Sequence, residues 1–262
     1  ALRAYADYHE MLAKEKPGIV AVCPRWADQR LPMLQAAAEA GAHILMEKPF
    51  AATLEEARTL LELTRRHGVK VQVGHVARLM PETLLARKLF EEGAIGKLLE
   101  IRARGKEDRR AGGEDMMVLG THCFDLMRLF AGDPRWVFAH LTQAGREVQP
   151  GHFRQASEPV GPVAGDEVAA MFYFEPGVHG YFGSRPNDVF DGPRFGVTLL
   201  GSRGALWIPL TAVPSDPPCL LQSTSWASGA WQRREPPQRL NNRQEVNRVM
   251  AADLIEAIEQ DR

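Results

Sequence analysis

The chain has 262 residues, 45% of them hydrophobic, and its 32 Lys and Arg against 33 Asp and Glu leave a net charge of -1. That length can bury one large core or two smaller ones, and the balanced charge, spread along the chain, lacks the basic cluster that grips nucleic acid, so a small-molecule ligand is expected. No apolar run approaches the roughly 20 residues of a bilayer span, no leader pattern opens the chain, and Cys23, Cys123 and Cys219 have neither disulfide-framework nor metal-ligand spacing, which fits a reducing cytoplasm without a metal site.

Asp7 is predicted to cap a helix through about Lys14, and Ile19 to Cys23 reads as a buried parallel strand after Pro17-Gly18. A helix is expected from Asp28 to Ala40, stopped by Gly41, and His43 to Met46 forms a second apolar strand ending at Glu47-Lys48-Pro49. Thr53 with Glu56 forms a capping box for a helix with Leu54, Ala57, Leu60, Leu61 and Thr64 on one face and Gly68 at its end. Val69 to Val73 supplies a third strand. Such a βαβαβ order with right-handed crossovers gives a parallel sheet.

Beyond Gly74 the pattern changes. A helix from Pro81 to Glu92 precedes Lys97 to Gly105, where Leu99, Ile101 and Ala103 alternate with polar residues as on a strand with one covered face. Trp136 to Thr142, Glu167 to Phe174, Val178 to Ser184, Phe195 to Leu200 and Ala205 to Ile208 read as strands, with Gly177 and Gly201 to Gly204 as hairpin turns. Residues 144–165 and 214–237 read as long loops, and a last helix begins near Asn242. The expected fold is therefore α/β: a partial Rossmann-type parallel sheet lacking its first βαβ unit over residues 1–76, then an α+β domain with a large, mostly antiparallel open sheet over residues 77–262. Met116, Met117, Leu119, Phe124, Met127, Leu129 and Phe130 are read as helix core.

Two groups suggest proton chemistry on an oxygen. Lys48 stands at a strand's carboxyl end, where open α/β sheets bind ligands, and His122 lies in Gly120-Thr121-His122-Cys123-Phe124-Asp125, which opens a helical pattern after Gly112-Gly113. From residue type alone a solvated lysine and a satisfied helix histidine remain open.

Glu47-Lys48-Pro49 after a strand, Gly41 before it, the Thr-Leu-Glu-Glu-Ala start at Thr53, Val73-Gly74-His75, Gly93-Ala94-Ile95-Gly96 and Gly120-x-His122-x-x-Asp125 together resemble the glucose-fructose oxidoreductase, inositol dehydrogenase and rhizopine-catabolism family, written Gfo/Idh/MocA. The resemblance implies a dinucleotide fold whose glycine-rich turn holds the pyrophosphate, yet no G-x-G-x-x-G stands between a strand and a helix here, so the chain is expected to be truncated at both ends. It implies NAD or NADP as cofactor, with Cys23, Pro24, Arg25, Trp26, Glu47, Lys48 and Pro49 near it, and Lys48 as donor to the reacting oxygen. The Lys48–Pro49 bond is sometimes cis in such a family. Trp26 either packs on the nicotinamide-ribose or closes the domain seam. His122 is implied as the base.

Dehydrogenases of this type often carry a carboxylate four residues before that histidine. Val118 stands there instead, with Glu114, Asp115 or Asp125 as possible substitutes. His75, Arg78 and Asp125, and from the hairpins His179, Arg185 and Asn187, are expected to bind substrate; for Arg78 a surface ion pair is the alternative, and for Asp125 a packing or capping role. The resulting reading is hydride transfer between a nicotinamide and a secondary alcohol of a sugar, cyclitol or related polyol. Its alternatives are cofactor-assisted hydrolysis, elimination or epimerisation, and a non-catalytic dinucleotide-binding protein. Expected partners are the polyol or sugar and further copies of the chain in a homodimer or homotetramer, without nucleic acid or membrane.

Overall fold

The computed structural model describes residues 3–186, 194–210, 218–221 and 230–262. Asn187 and half of the predicted loop at 214–237 lie outside the described residues. The chain divides into two compact units, one of Ala1–His75, Glu158–Gly161 and Arg248–Arg262, the other of Val76–Ser157 and Pro162–Asn247.

In the first unit, helix α1 (Tyr8–Glu15) starts where the Asp7 carboxylate accepts a bond from the His9 amide at 2.9 Å. Then follow β1 (Ile19–Val22), α2 (Leu31–Glu39), β2 (His43–Met46), α3 (Leu54–His67) and β3 (Val71–Val73), with the strands in order β1-β2-β3 and both pairings parallel. Val22, Leu34, Ala37, Ala38, Ile44, Met46, Leu60 and Val69 form the core. Gly41 and Gly68 end α2 and α3 at φ of +76° and +64°, a left-handed backbone that costs glycine nothing.

Three expectations need correction here. The helix expected from Asp28 begins as a 3-10 turn, Ala27–Gln29, and becomes α-helical only at Leu31, because Pro32 has no N–H to continue a helix from upstream and fits only a first turn. β1 is not wholly buried: it is an edge strand among the described residues, and of its side chains only Val22 is buried. On α3, Leu54 and Leu61 are exposed, and the inward face runs through Ala57, Leu60 and Leu63.

The second unit contains α4 (Pro81–Glu91), β4 (Leu98–Arg104), α5 (Gly113–Val118), α6 (Gly120–Ala131), β5 (Trp136–Gln143), β6 (Arg146–Glu147), β7 (Arg154–Gln155), β8 (Pro162–Val163), β9 (Glu167–Phe174), β10 (Val178–Ser184), β11 (Gly196–Gly201), β12 (Gly204–Pro209), β13 (Cys219–Leu221), β14 (Gln232–Arg233) and the start of α7 (Arg243–Glu259). Nine strands form one sheet in the order β14-β13-β12-β11-β4-β10-β9-β5-β6, and β7 pairs with β8 separately. The β4–β10 pairing is parallel; the other pairings of the large sheet are antiparallel.

Helix α6 covers one face of this sheet. Gly120 lies so close to it that a Cβ there would stand 2.9 Å from the Phe182 ring, and Ile101, Leu126, Met127, Phe182, Leu199 and Leu206 fill the interior. The other face carries Trp136 stacked on Tyr173 at 5.5 Å between ring centres, together with exposed Phe138 and Tyr181. On β4 the alternation is broken. Leu200 pairs with Glu100 while Gly201 pairs with Leu98, so one extra residue shifts the phase, burying Leu98 and exposing Leu99, which was expected inside. No described helix is long and apolar enough to cross a membrane.

Candidate functional site

The first unit gathers one group of predicted residues because its three parallel strands end side by side. Cys23-Pro24-Arg25-Trp26 follows β1, Glu47-Lys48-Pro49 follows β2 and Gly74-His75 follows β3. Backbone bonds knit these ends together: the Glu47 amide donates to the Val22 carbonyl at 3.2 Å and the Gly74 amide to the Met46 carbonyl at 2.7 Å. Gly74 suits this approach, since a Cβ there would press to 3.2 Å from the Met46 oxygen. Lys48 is half-buried and its bond to Pro49 is cis, while Cys23 is exposed. The Arg25 guanidinium lies 4.9 Å above the Trp26 ring and pairs with Glu158 at 2.8 Å, so its charge is already engaged.

The second unit holds His122, Arg78, Asp125, His179 and Arg185. His122 is half-buried in the first turn of α6. One turn further along, the Asp125 carboxylate accepts two bonds from Arg78, at 2.8 and 2.7 Å, so the ion-pair alternative for Arg78 is the arrangement found. This bidentate pair ties the 3-10 turn Val76–Leu79 to the helix that carries His122.

The other two carboxylates weighed as substitutes for Val118 are also bonded elsewhere. Glu114, almost fully buried, accepts from the Ser157 amide at 2.8 Å, the Ser157 hydroxyl and Arg154 at 2.6 Å. Burial alone would raise its pKa, but the bonds from Ser157 and Arg154 outweigh it and hold the carboxyl below its ordinary value. Asp115, wholly buried, accepts from the Ser184 hydroxyl at 2.6 Å and the Glu107 and Lys106 amides at 2.9 and 3.3 Å. Val118 itself is 1% exposed.

His179 does not join His122. On β10 it alternates with Val178, Gly180 and Phe182, which pack toward α6, so it stands on the opposite sheet face with its ring 5.5 Å from that of Tyr173. Arg185, just past β10, gives its backbone amide to Glu107 at 3.0 Å and its side chain reaches to 4.0 Å from Glu167. A polar cavity of about 360 Å³ is lined by Glu107, Asp108, Arg109, Gln143, Arg154 and Asp166, among others, and by none of the predicted site residues.

Residues 1–75 match the model of an oxidoreductase family described as having an NAD-binding Rossmann fold, and residues 83–207 match the C-terminal domain model of that family. The chain belongs to the Gfo/Idh/MocA family. Among its relatives, a levoglucosan dehydrogenase of Pseudarthrobacter phenanthrenivorans is 31% identical over 169 residues, 55% of this chain and 43% of that protein. A scyllo-inositol 2-dehydrogenase (NADP(+)) of Bacillus subtilis is 31% identical over 114 residues, 39% of this chain and 32% of that one. The match thus spans less than half the length of either curated relative. A solved levoglucosan dehydrogenase in complex with NADH and levoglucosan superposes with a TM-score of 0.75 at 22% identity, covering 98% of this chain and 74% of that one, a likeness of fold.

The Gfo/Idh/MocA pattern marks Lys48 and His122 but not Arg30, in the turn before α2, a buried guanidinium bonded to backbone on both sides of Lys48. Its partners are carbonyl oxygens, which no side-chain motif records.

Proposed function

We propose that this chain acts as an NAD- or NADP-dependent oxidoreductase that transfers hydride between a secondary alcohol of a sugar, cyclitol or related polyol and the nicotinamide. The observation that carries the reading is the set of three adjacent strand ends, with half-buried Lys48 behind β2, at the place where open α/β sheets take their ligands. The names of the curated relatives, a levoglucosan and a scyllo-inositol dehydrogenase, support the substrate class. These strand ends suit the nicotinamide-ribose half of a cofactor: exposed Cys23 and half-buried Pro24 and Trp26 offer contact surface beside an amine. Bound there, the cofactor supplies the hydride acceptor.

Lys48 is assigned to donate a hydrogen bond to the substrate hydroxyl and to stabilise the negative charge that grows on that oxygen as the carbon gives up hydride. His122 is assigned to accept the hydroxyl proton. The Arg78–Asp125 pair holds α6, and with it His122, in place. Val118 favours one competing reading, a protein that binds dinucleotide without turnover, because the family's usual carboxylate is replaced by a buried aliphatic side chain.

The exposed aromatic face of the nine-stranded sheet, with Trp136, Phe138 and Tyr181, is assigned to a second copy of the chain, since a sheet face uncovered by helices and rich in large rings is stable in water mainly when paired.

The deciding experiment uses the full-length protein: NADH binding by fluorescence, then a panel of polyols with NAD and NADP, comparing wild type with Lys48→Met. Loss of one donor aimed at developing charge lowers kcat by roughly 10²-fold or more. An unchanged kcat in Lys48→Met would remove Lys48 from the chemistry, and NADH binding without turnover of any polyol would favour the non-catalytic reading.

A further inference from the structure

We infer that Arg30 is the positioning residue for Lys48: its guanidinium clamps the loop after β1 to the loop after β2 and thereby fixes the direction in which the Lys48 amine leaves the backbone. This inference rests on the assignment of Lys48 to the reacting oxygen. Arginine presents five N–H donors in a planar fork, and here every one of the five meets a main-chain carbonyl. The Nε donates to Pro24 at 2.9 Å, one terminal nitrogen to Glu47 at 2.6 Å and Pro49 at 2.7 Å, and the other to Arg25 at 2.8 Å and Lys48 at 3.1 Å. The residue is 2% exposed. Its charge is met by carbonyl dipoles, with no carboxylate hydrogen-bonded to it among the described residues; burial accordingly pulls its pKa below the ordinary arginine value, opposed in part by Glu47.

Burying an arginine without a carboxylate is costly and rarely seen unless the geometry needs it. The need is visible in which carbonyls are held. A peptide unit is planar, so fixing the Glu47 and Lys48 carbonyls fixes the planes on both sides of the Lys48 Cα, and two fixed planes determine where its Cβ points. The Pro24 and Arg25 carbonyls fix Arg25 in the same way, and its side chain lies over Trp26. One cation thus sets the direction of two side chains in loops that follow different strands. A lysine at position 30 keeps the charge but has three donors on a single nitrogen, too few and too close together to span five oxygens.

The test compares wild type, Arg30→Lys and Arg30→Ala in the full-length protein by hydrogen exchange without ligand, and by steady-state kinetics. The expected result for Arg30→Lys is faster exchange confined to residues 23–31 and 46–52, a kcat lower by about 10²-fold because a misplacement of about 1 Å has that effect, and a much smaller change in KM. Guanidinium ion at sub-denaturing concentration should restore part of the kcat of Arg30→Ala and none of that of Lys48→Met. Should Arg30→Ala fail to fold, Arg30→Lys alone decides. Unchanged loop exchange and unchanged kcat in Arg30→Lys would overturn the inference. So would exchange that rises evenly across β1, β2 and β3, which marks a residue needed for stability only. If wild type neither binds NADH nor turns over a polyol, the oxidoreductase reading fails, while the exchange pattern still decides whether Arg30 clamps the two loops.

Discussion

Replacing Asp115 by alanine should destabilise the protein by about 2–6 kcal/mol, the sum for leaving two neutral buried donors without their acceptor. The figure follows from what the carboxylate holds. With Asp115 wholly buried, alanine strands the Ser184 hydroxyl and the Glu107 amide, bonded to it at 2.6 and 2.9 Å, while the Lys106 amide at 3.3 Å contributes less. Each stranded buried donor costs about 1–3 kcal/mol. Glu107 sits at φ of +58°, a left-handed backbone unfavourable for a side chain with a Cβ, and the two successive amides converging on one carboxylate hold that turn. Gly105 makes the approach possible, since a Cβ there would fall 2.1 Å from an Asp115 oxygen.

The Ser184 oxygen also accepts the Gly112 amide at 3.0 Å, so Ser184→Ala should cost about 2 kcal/mol and the double mutant should show a coupling of about 1.5–3 kcal/mol. Urea unfolding followed by circular dichroism measures all four proteins, with the midpoint moving and the slope unchanged. A loss below about 1 kcal/mol in Asp115→Ala, or a coupling of zero, would refute the account.

Glu114→Gln should be less stable than wild type by about 1–2 kcal/mol at neutral pH; because the folded pKa of Glu114 is depressed, its contribution is full above the unfolded carboxylate range and disappears as pH falls through the folded value, so the gap should close on acidification, as thermal melts from pH 7 to pH 3 would show. Val118→Asp puts a carboxylate at a site 1% exposed, so it should lose several kcal/mol in the same urea assay, and in whatever folds the pH midpoint of kcat should move upward as the new charge favours protonated His122. Phe138→Glu on the exposed sheet face should shift the mass by light scattering from dimer to monomer and lower the melting temperature as the pairing is lost; a wild-type monomer would refute the pairing of that face.

The alternation of strands and helices was legible because Gly41 and Gly68 stop two helices and apolar runs sit between them. Boundaries were less so: Pro32 moved the start of α2, and the inserted residue near Leu99 reversed which of two adjacent leucines is buried, a shift set by the register with β11 that the composition of β4 does not encode. Lys48 was legible as a strand end followed by Pro49. His179 stands on the sheet face away from His122 because strand parity, which nearness to a hairpin does not reveal, sets the side a residue faces. Arg30 was invisible because a guanidinium that binds only backbone leaves no partner residue to read.

The last residues of the chain bear on how it is made. Gln72, in β3, donates to Asp253 at 2.7 Å, and Lys70 reaches Asp261 at 2.7 Å, contacts that close loops of 181 and 191 residues. Chains emerge from the ribosome amino end first. The parallel sheet can therefore begin to form before the second unit is translated, but it waits for the whole of that unit before the segment from Arg248 onward reaches β3. Until then the incomplete sheet is exposed to misassembly, and a ribosome stalled before that segment should display a first unit more sensitive to protease than the finished protein.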